Sequence, residues 1–334
     1  MLKLKAYLAT ELPRINKTLD AEVAVLHPLV RPVAEHVLRA GGKRLRPLLT
    51  LLTARALRTG GAEGGGLFRK GSGPDLYPLA CSVELLHSAT LLHDDILDGA
   101  DLRRGLPAAH TLFGQTETVL AGDALLALAN RIVARYGDAR LTDTIAEAIV
   151  QTATGEIVEI AHQRSTDHGH DTYIEIITGK TAWMLRASCE LGALAAQAAP
   201  ELVTAAAGFG LNLGIAFQIV DDALDFAASS RDTGKPVGGD LREGKLTPPL
   251  IYYLETLTPH ERDAFVTRFR QGTFDDAAVA AVSADLRARG CDAKTRDLAA
   301  RYLDKASACL DALPDTPERR ILRQSIDYVL NRGT

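Results

Sequence analysis

The chain has little of what sheet-rich or disulfide-stapled proteins rely on. Aromatic residues make up only 5% of its 334 positions, with a single Trp, whereas alanine and leucine dominate. That balance favours helices over sheet. The four cysteines, Cys81, Cys189, Cys291 and Cys309, stand far apart with no CxxC pair, so buried, reduced thiols in a cytoplasmic protein are expected. Basic runs are missing too, and a net charge of −4 gives no field that would attract nucleic acid. The N-terminus alternates charged and apolar residues and lacks the uninterrupted apolar core of a secretory signal.

Charge itself is absent over the 19 residues from Leu202 to Val220, long enough superficially to cross a membrane. The stretch nevertheless carries Thr204, Gly208, Gly210, Asn212, Gly214 and Gln218 and runs straight into an acidic motif, so a core helix lining a site is the better reading. What remains is a chain 46% apolar, ample for a sizeable core. It reads as helices throughout, with no strands, no repeat and no separable second domain. A Gly-rich loop at 59–75 interrupts helices of the same character on both sides.

Against this background two acidic stretches stand out. The first is Glu84–Gly105; apolar Leu79, Val83 and Leu86 lead at helical spacing into its Asp94, Asp95 and Asp98. Carboxylates at a helix C-terminus repel one another and oppose the macrodipole, so a positive partner is expected. Asp94 and Asp98 are one turn apart, and hard oxygens converging on one face suit Mg²⁺. Arg103 and Arg104 follow, with planar forks that match phosphate oxygens. The second stretch, Phe217 to Asp225, repeats the device: Gly214, Gln218, Asp221 and Asp225 share a helical face. The two triads are expected to confront each other across a magnesium-bridged diphosphate.

Cations for an anion occur elsewhere. Gly41-Gly42-Lys43-Arg44-Leu45-Arg46-Pro47 joins a flexible glycine pair to three cations before a helix restarts with proline in its first turn, and Lys43 and Arg46 can point one way. A helix over Tyr173–Gln197 is interrupted at Gly179-Lys180-Thr181, where an opened ladder would present Lys180 and the Thr181 hydroxyl to a phosphate. The loop Asp232–Lys245 is spaced by glycines and carries Lys235 and Lys245, as a lid would. His162, His168 and His170 flank a Gly-rich turn and read as a solvated loop rather than a zinc site.

Together these stretches resemble the trans-isoprenyl diphosphate synthases, or polyprenyl synthetases. The matching segments are GGKRLRP at 41–47, ELLHSATLLHDDILD at 84–98, RRG at 103–105, GKTA at 179–182, FQIVDDALD at 217–225 and GKPVGGDLREGKLTPPL at 234–250, in the family's order and covering the chain nearly end to end. The departures are the Gly-rich 59–75 insertion and Pro248-Pro249, where a leucine is more usual first. The resemblance implies an all-α fold, one large bundle of the isoprenoid synthase type around a deep apolar cavity spanning residues 1–334, and a cytoplasmic homodimer.

The implied reaction is Mg²⁺-dependent head-to-tail condensation of isopentenyl diphosphate with an allylic diphosphate. Position by position, the resemblance gives Lys43, Arg46, His87 and Arg104 to isopentenyl diphosphate. Arg103, Lys180, Thr181, Gln218, Lys235 and Lys245 go to the allylic diphosphate, and Asp94, Asp98, Asp221 and Asp225 to about three Mg²⁺ ions, with Asp95 and Asp222 in support. Asp94, Asp98, Asp221, Lys180 and Arg103 would carry catalysis. A class I terpene cyclase shares the first motif but usually has an Asn/Ser/Glu metal triad as its second, and a non-catalytic partner subunit typically loses aspartates that this chain keeps.

Product length is written upstream of Asp94. One helical turn rises about 5.4 Å, close to one isoprene unit, and short-chain relatives close the pocket with an aromatic one turn upstream. Here Ala89 and Thr90 are small, and Ser82, Leu85 and Leu86 lie deeper without an aromatic. A product longer than geranylgeranyl diphosphate is expected, the wording HSATLLHDD being most like the octaprenyl synthases. The competing reading has Leu125 or Leu126 on a facing helix closing the floor at farnesyl or geranylgeranyl length.

Overall fold

A computed structural model describes residues 2–58, 75–227 and 238–331. The Gly-rich loop, apart from Asp75, and Lys235 of the expected lid lie outside them. Helices account for most of the described chain: α1 Leu2–Val23, α2 Arg31–Arg39, α3 Leu45–Arg58, α4 Leu76–Leu97, α5 Ala109–Phe113, α6 Gln115–Ala134, α7 Ala139–His162 and α8 His170–Ile177. After a π-helical turn at Thr178–Ala182 come α9 Trp183–Ala195, α10 Pro200–Ala227, α11 Gly239–Glu243, α12 Pro248–Thr256, α13 Pro259–Gln271, α14 Asp276–Ala288, α15 Cys291–Asp311 and α16 Pro317–Leu330. The all-helical expectation holds with one exception. Leu102–Arg103 (β1) and Leu106–Pro107 (β2) form a two-stranded antiparallel ladder.

That small hairpin has a physical reason. Arg104 (φ 52°) and Gly105 (φ 79°) both lie in the left-handed region, the geometry a two-residue turn needs to match the twist of its strands. The RRG motif is therefore a turn that throws its second arginine outward.

The chain divides into two compact units, each assembled from separate segments. One holds Met1–Ile149, Met184–Ala207 and Leu310–Gln324; the other holds Val150–Trp183, Gly208–Cys309 and Ser325–Thr334. The first has a core built on α4, whose Leu79, Val83, Leu85, Leu86, Ala89 and Leu92 are buried with Ala121, Leu125 and Leu128 of α6 and with Leu51 and Ala54 of α3. At the α4 N-terminus Asp75 accepts from the Tyr77 amide, as an N-cap should. In the second, Phe209, Leu213, Ile219 and Phe226 of α10 are buried, as are Phe265 and Phe269 of α13.

Helix α10 is long and apolar enough over Pro200–Phe226 to cross a membrane by length and composition. Its buried Phe209, Leu213, Ala216 and Ile219 mark a core helix instead. Cys81, Cys189 and Cys291 are buried free thiols, but Cys309 is only half-buried. The three histidines also depart from expectation: they are half-buried rather than solvated, and His162 and His168 meet edge to face at 4.9 Å. Buried ring nitrogens of His168 and His170 find no hydrogen-bond partner, and burial holds the pKa of both rings below the usual imidazole range.

Candidate active site

The first unit gathers positive charge around one histidine. Arg44, in the left-handed region at φ 48°, turns its guanidinium inward, donating to Glu84 Oε1 at 2.8 Å and to the Leu38 carbonyl at 2.7 Å. That buried pair fastens the GGKR turn to α4. One turn along α4 from Glu84 stands His87 (i, i+3). Burial, reinforced by Arg46, Arg104, Arg103 and Arg44, holds its pKa well below the usual range, so the ring is neutral at physiological pH and can offer a hydrogen bond without charge.

Arg46 is half-buried and its Nε is buried with no hydrogen-bond partner. Burial and the Arg104 charge lower its pKa against the pull of Glu84. Arg104 donates to the Gly41 carbonyl. A Cβ at Gly42 would come within 3.0 Å of its Nη1, so the glycine pair leaves room for this guanidinium. Lys43 is exposed in the same turn. Lys43, Arg46, His87 and Arg104, expected to serve one diphosphate, thus belong to one cationic neighbourhood with an unsatisfied donor, which is the chemistry of an anion site.

The first acidic motif ends α4 as expected, with Asp98 as its C-cap. Asp95 is buried, and Arg103 Nε reaches its Oδ1 at 2.5 Å. Burial nonetheless leaves the Asp95 pKa raised, with Arg103 opposing. Arg103, assigned by resemblance to the allylic diphosphate, is therefore held by a carboxylate here. Asp94 is half-buried and Asp98 exposed. Upstream, Ser82, Leu85, Leu86 and Ala89 are fully packed, while Thr90 is half-buried on the His87 side, its hydroxyl donating to the His87 carbonyl at 2.9 Å.

The second unit holds a cavity of about 120 Å³ lined by Glu159, His162, Tyr173, Lys180, Thr181, Gln218, Asp222, Asp240 and Lys245 among others. The expected break in the helix is the π-helical turn at Thr178–Ala182, and its glycine has a packing reason. A Cβ at Gly179 would lie 2.8 Å from the Gln151 carbonyl and from Gly155 Cα, and one at Gly155 would lie 2.3 Å from the Lys180 nitrogen. Two glycines let α7 and the turn touch backbone to backbone, so the wide turn presents Lys180 and Thr181.

A polar chain follows. The Thr181 hydroxyl donates to Gln218 Oε1 at 3.0 Å, Gln218 Nε2 to Asp222 Oδ1 at 2.8 Å, and the Tyr173 hydroxyl to Asp222 Oδ2 at 2.5 Å. Asp225 accepts from the Gly239 and Asp240 amides at 3.1 and 3.0 Å, anchoring the start of α11. Lys180 Nζ pairs with Glu156 at 2.7 Å and with Glu159; burial alone would lower its pKa, but the two carboxylates raise it.

Among the described residues, no group of three or more His, Cys, Asp or Glu is already gathered to hold a metal ion. The donors still suit Mg²⁺. Asp240 Oδ2 is buried without a hydrogen-bond partner, and burial with the nearby Asp222 and Asp225 charges pushes the Asp240 pKa well up. Acid of one sign is left short of positive charge, as a site completed by cation and substrate oxygens requires. Mg²⁺ is commonly held by one or two carboxylates plus substrate phosphates rather than by a protein cage.

Five participants were not singled out as site residues from sequence: Arg44, Glu159, Tyr173, Asp240 and Arg164. Arg164 ends the turn after α7 at φ 59°. Its amide donates to Gly244 O at 2.7 Å, and its guanidinium to the carbonyls of Arg242 at 3.0 Å and Phe269 at 3.4 Å, while Gln163 Nε2 reaches Glu243 O at 2.9 Å. The segment carrying Asp240 and Lys245 is thereby clasped from outside.

The chain is similar to known proteins along nearly its whole length. The family described as Polyprenyl synthetase matches residues 27–286. Heptaprenyl diphosphate synthase component 2 of Geobacillus stearothermophilus is 35% identical, over 99% of each chain. A decaprenyl diphosphate synthase from Rhodobacter capsulatus superposes with a TM-score of 0.89 at 34% identity, covering 99% of each chain. A polyprenyl synthase from Caulobacter crescentus, solved with calcium and isoprenyl diphosphate, superposes at 0.88 with 33% identity over 99% of this chain and 97% of that one.

The clasp makes a specific prediction. Arg164→Ala should lose about 1–3 kcal/mol of local stability, seen as amide exchange about fivefold or more faster across 239–247 with the global melting temperature little changed. Unaltered exchange there would show that Arg164 does not hold the segment.

Proposed function

This chain belongs to the polyprenyl synthetase family, and we propose that it condenses isopentenyl diphosphate head to tail with an allylic diphosphate to build an all-trans chain longer than geranylgeranyl diphosphate. The observation that carries the reading is that anion-seeking cations come in two separate sets, one in each unit. Arg46, Arg104 and Lys43 accompany a neutral His87 in the first; Lys180 and Lys245 line the cavity of the second beside Thr181 and Gln218. Two sets suit two diphosphate substrates. A terpene cyclase, with one diphosphate to bind, has no use for the first set.

In this reading Arg46, Arg104, Lys43 and His87 bind isopentenyl diphosphate, and Lys180, Thr181, Gln218, Lys235 and Lys245, with Arg103, hold the allylic diphosphate. Bound at Asp94, Asp98, Asp221 and Asp225, about three Mg²⁺ ions would supply charge neutralisation for the leaving diphosphate. Lys180 and Arg103 stabilise negative charge as the allylic C–O bond breaks. The isopentenyl double bond then attacks the allylic carbon, forming the new C–C bond, and the proton lost passes to the departing diphosphate. Asp95 orients Arg103, and Tyr173 with Gln218 orients Asp222. The protein would work in the cytoplasm as a homodimer; the relative named component 2 makes a second, different subunit the alternative.

For product length, relatives named for heptaprenyl and decaprenyl products support a long chain. With Ala89, Leu86 and Ser82 packed and Thr90 half-buried beside His87, Thr90 is the position of the four at which added bulk meets the tail without first overpacking the core.

Two experiments test this reading. Arg46→Ala or His87→Ala should raise KM for isopentenyl diphosphate more than for the allylic primer, and Lys180→Ala should do the reverse, by about tenfold for a lost charge-assisted contact; equal effects on both substrates would contradict the two-set assignment. Thr90→Phe should shift the product to a chain shorter by several isoprene units while the primer KM moves little. A wild type that already stops at farnesyl diphosphate, with an unchanged mutant, would place the floor above Thr90.

A further inference from the structure

We propose that Glu159 is a built-in counter-ion for both lysines of the allylic-diphosphate subsite, and that its charge weakens the enzyme's hold on inorganic pyrophosphate. This rests on the reading that Lys180 and Lys245 bind that diphosphate. The lysines come from separate elements, the π-helical turn and the segment after α11, and Glu159 on the last turns of α7 meets each. It pairs with Lys180 and lies 3.8 Å from Lys245 Nζ. Glu156, one turn back, takes Lys180 at 2.7 Å, and Glu243 takes Lys245 at 2.7 Å. Two ammonium groups therefore face three carboxylates. Side-chain exposure of Lys180, Lys245 and Glu159 is only 23, 20 and 19%, so their charges are screened less than surface ones.

An arriving diphosphate has to take these lysines from carboxylates that already hold them. The subsite thus grips its anion more weakly than two desolvated lysines could. For a chain-lengthening enzyme that is useful, because every addition leaves pyrophosphate in the subsite and the elongated allylic diphosphate must occupy it next. Tighter binding of substrate and product alike would not raise turnover, and release of product often limits it. A merely architectural Glu159 would hold the lysines in place and predict the opposite sign: loss of its charge would loosen the anion.

The test is titration of inorganic pyrophosphate, in Mg²⁺ buffer, into the wild type, Glu159→Gln, Glu156→Gln and Lys180→Ala by calorimetry, alongside product inhibition by pyrophosphate. Glutamine keeps the shape and an acceptor oxygen while removing the charge. Glu159→Gln should bind pyrophosphate at least about fivefold tighter, with a matching fall in its inhibition constant. Glu156→Gln, which touches one lysine, should tighten it by about twofold. Unchanged or weaker binding by Glu159→Gln overturns the proposal; if that variant does not fold, absence of tightening in Glu156→Gln does so. Lys180→Ala separates the two levels. If it leaves pyrophosphate affinity unchanged, the assignment of the subsite itself is wrong. If it weakens binding while Glu159→Gln fails to tighten it, only the counter-ion role falls.

Discussion

The buried pair between Arg44 and Glu84, 2.8 Å apart, is the constraint from which the first unit's cationic cluster follows. Both side chains are almost wholly out of water, at 7 and 6% exposure, so removing either partner would strand a buried charge at a cost of about 3–5 kcal/mol. The pair fixes the glycine turn to the middle of α4. With Arg44 turned inward, Lys43 and Arg46 flank it and Arg104 closes on the Gly41 carbonyl. His87, one turn from Glu84, is left neutral among four guanidinium groups.

The second unit solves the opposite problem, holding acid together. Asp222 is satisfied by Tyr173 and Gln218, Asp225 by the amides that start α11, and Glu159 by lysines. Asp240 keeps a buried oxygen without a partner. Of these contacts, the one between Glu159 and Lys180 joins α7 to the π-helical turn, which Gly155 against Gly179 seats on α7. Each unit thus carries an aspartate motif as well as a set of cations, and a divalent cation with a diphosphate supplies a partner for both signs.

Much of this was legible in the residues. Both aspartate motifs stand on the helices that spacing predicts, and the helix is interrupted at Gly179, because these are local patterns. What was hidden depends on contacts between distant segments. Helical phase pairs Lys43 with Arg46, but nothing local reveals that Arg44 takes a left-handed φ and turns inward. Glu159 belongs to none of the motifs, and its place in the site comes from Lys180, 21 residues on, packing against it. The hairpin at 102–107 escaped because Arg-Gly is not a usual two-residue turn signal. The histidines near 168 looked solvated because their covering partners, such as Tyr252 against His170, come from far along the chain.

The central claim is that this protein joins two diphosphates and lengthens the allylic one. Incubating the purified chain with Mg²⁺, labelled isopentenyl diphosphate and a set of allylic primers, then sizing the products, tests it most directly. Label should appear in an all-trans polyprenyl diphosphate longer than geranylgeranyl. A hydrocarbon made from the allylic diphosphate alone, with no isopentenyl label incorporated, would contradict it.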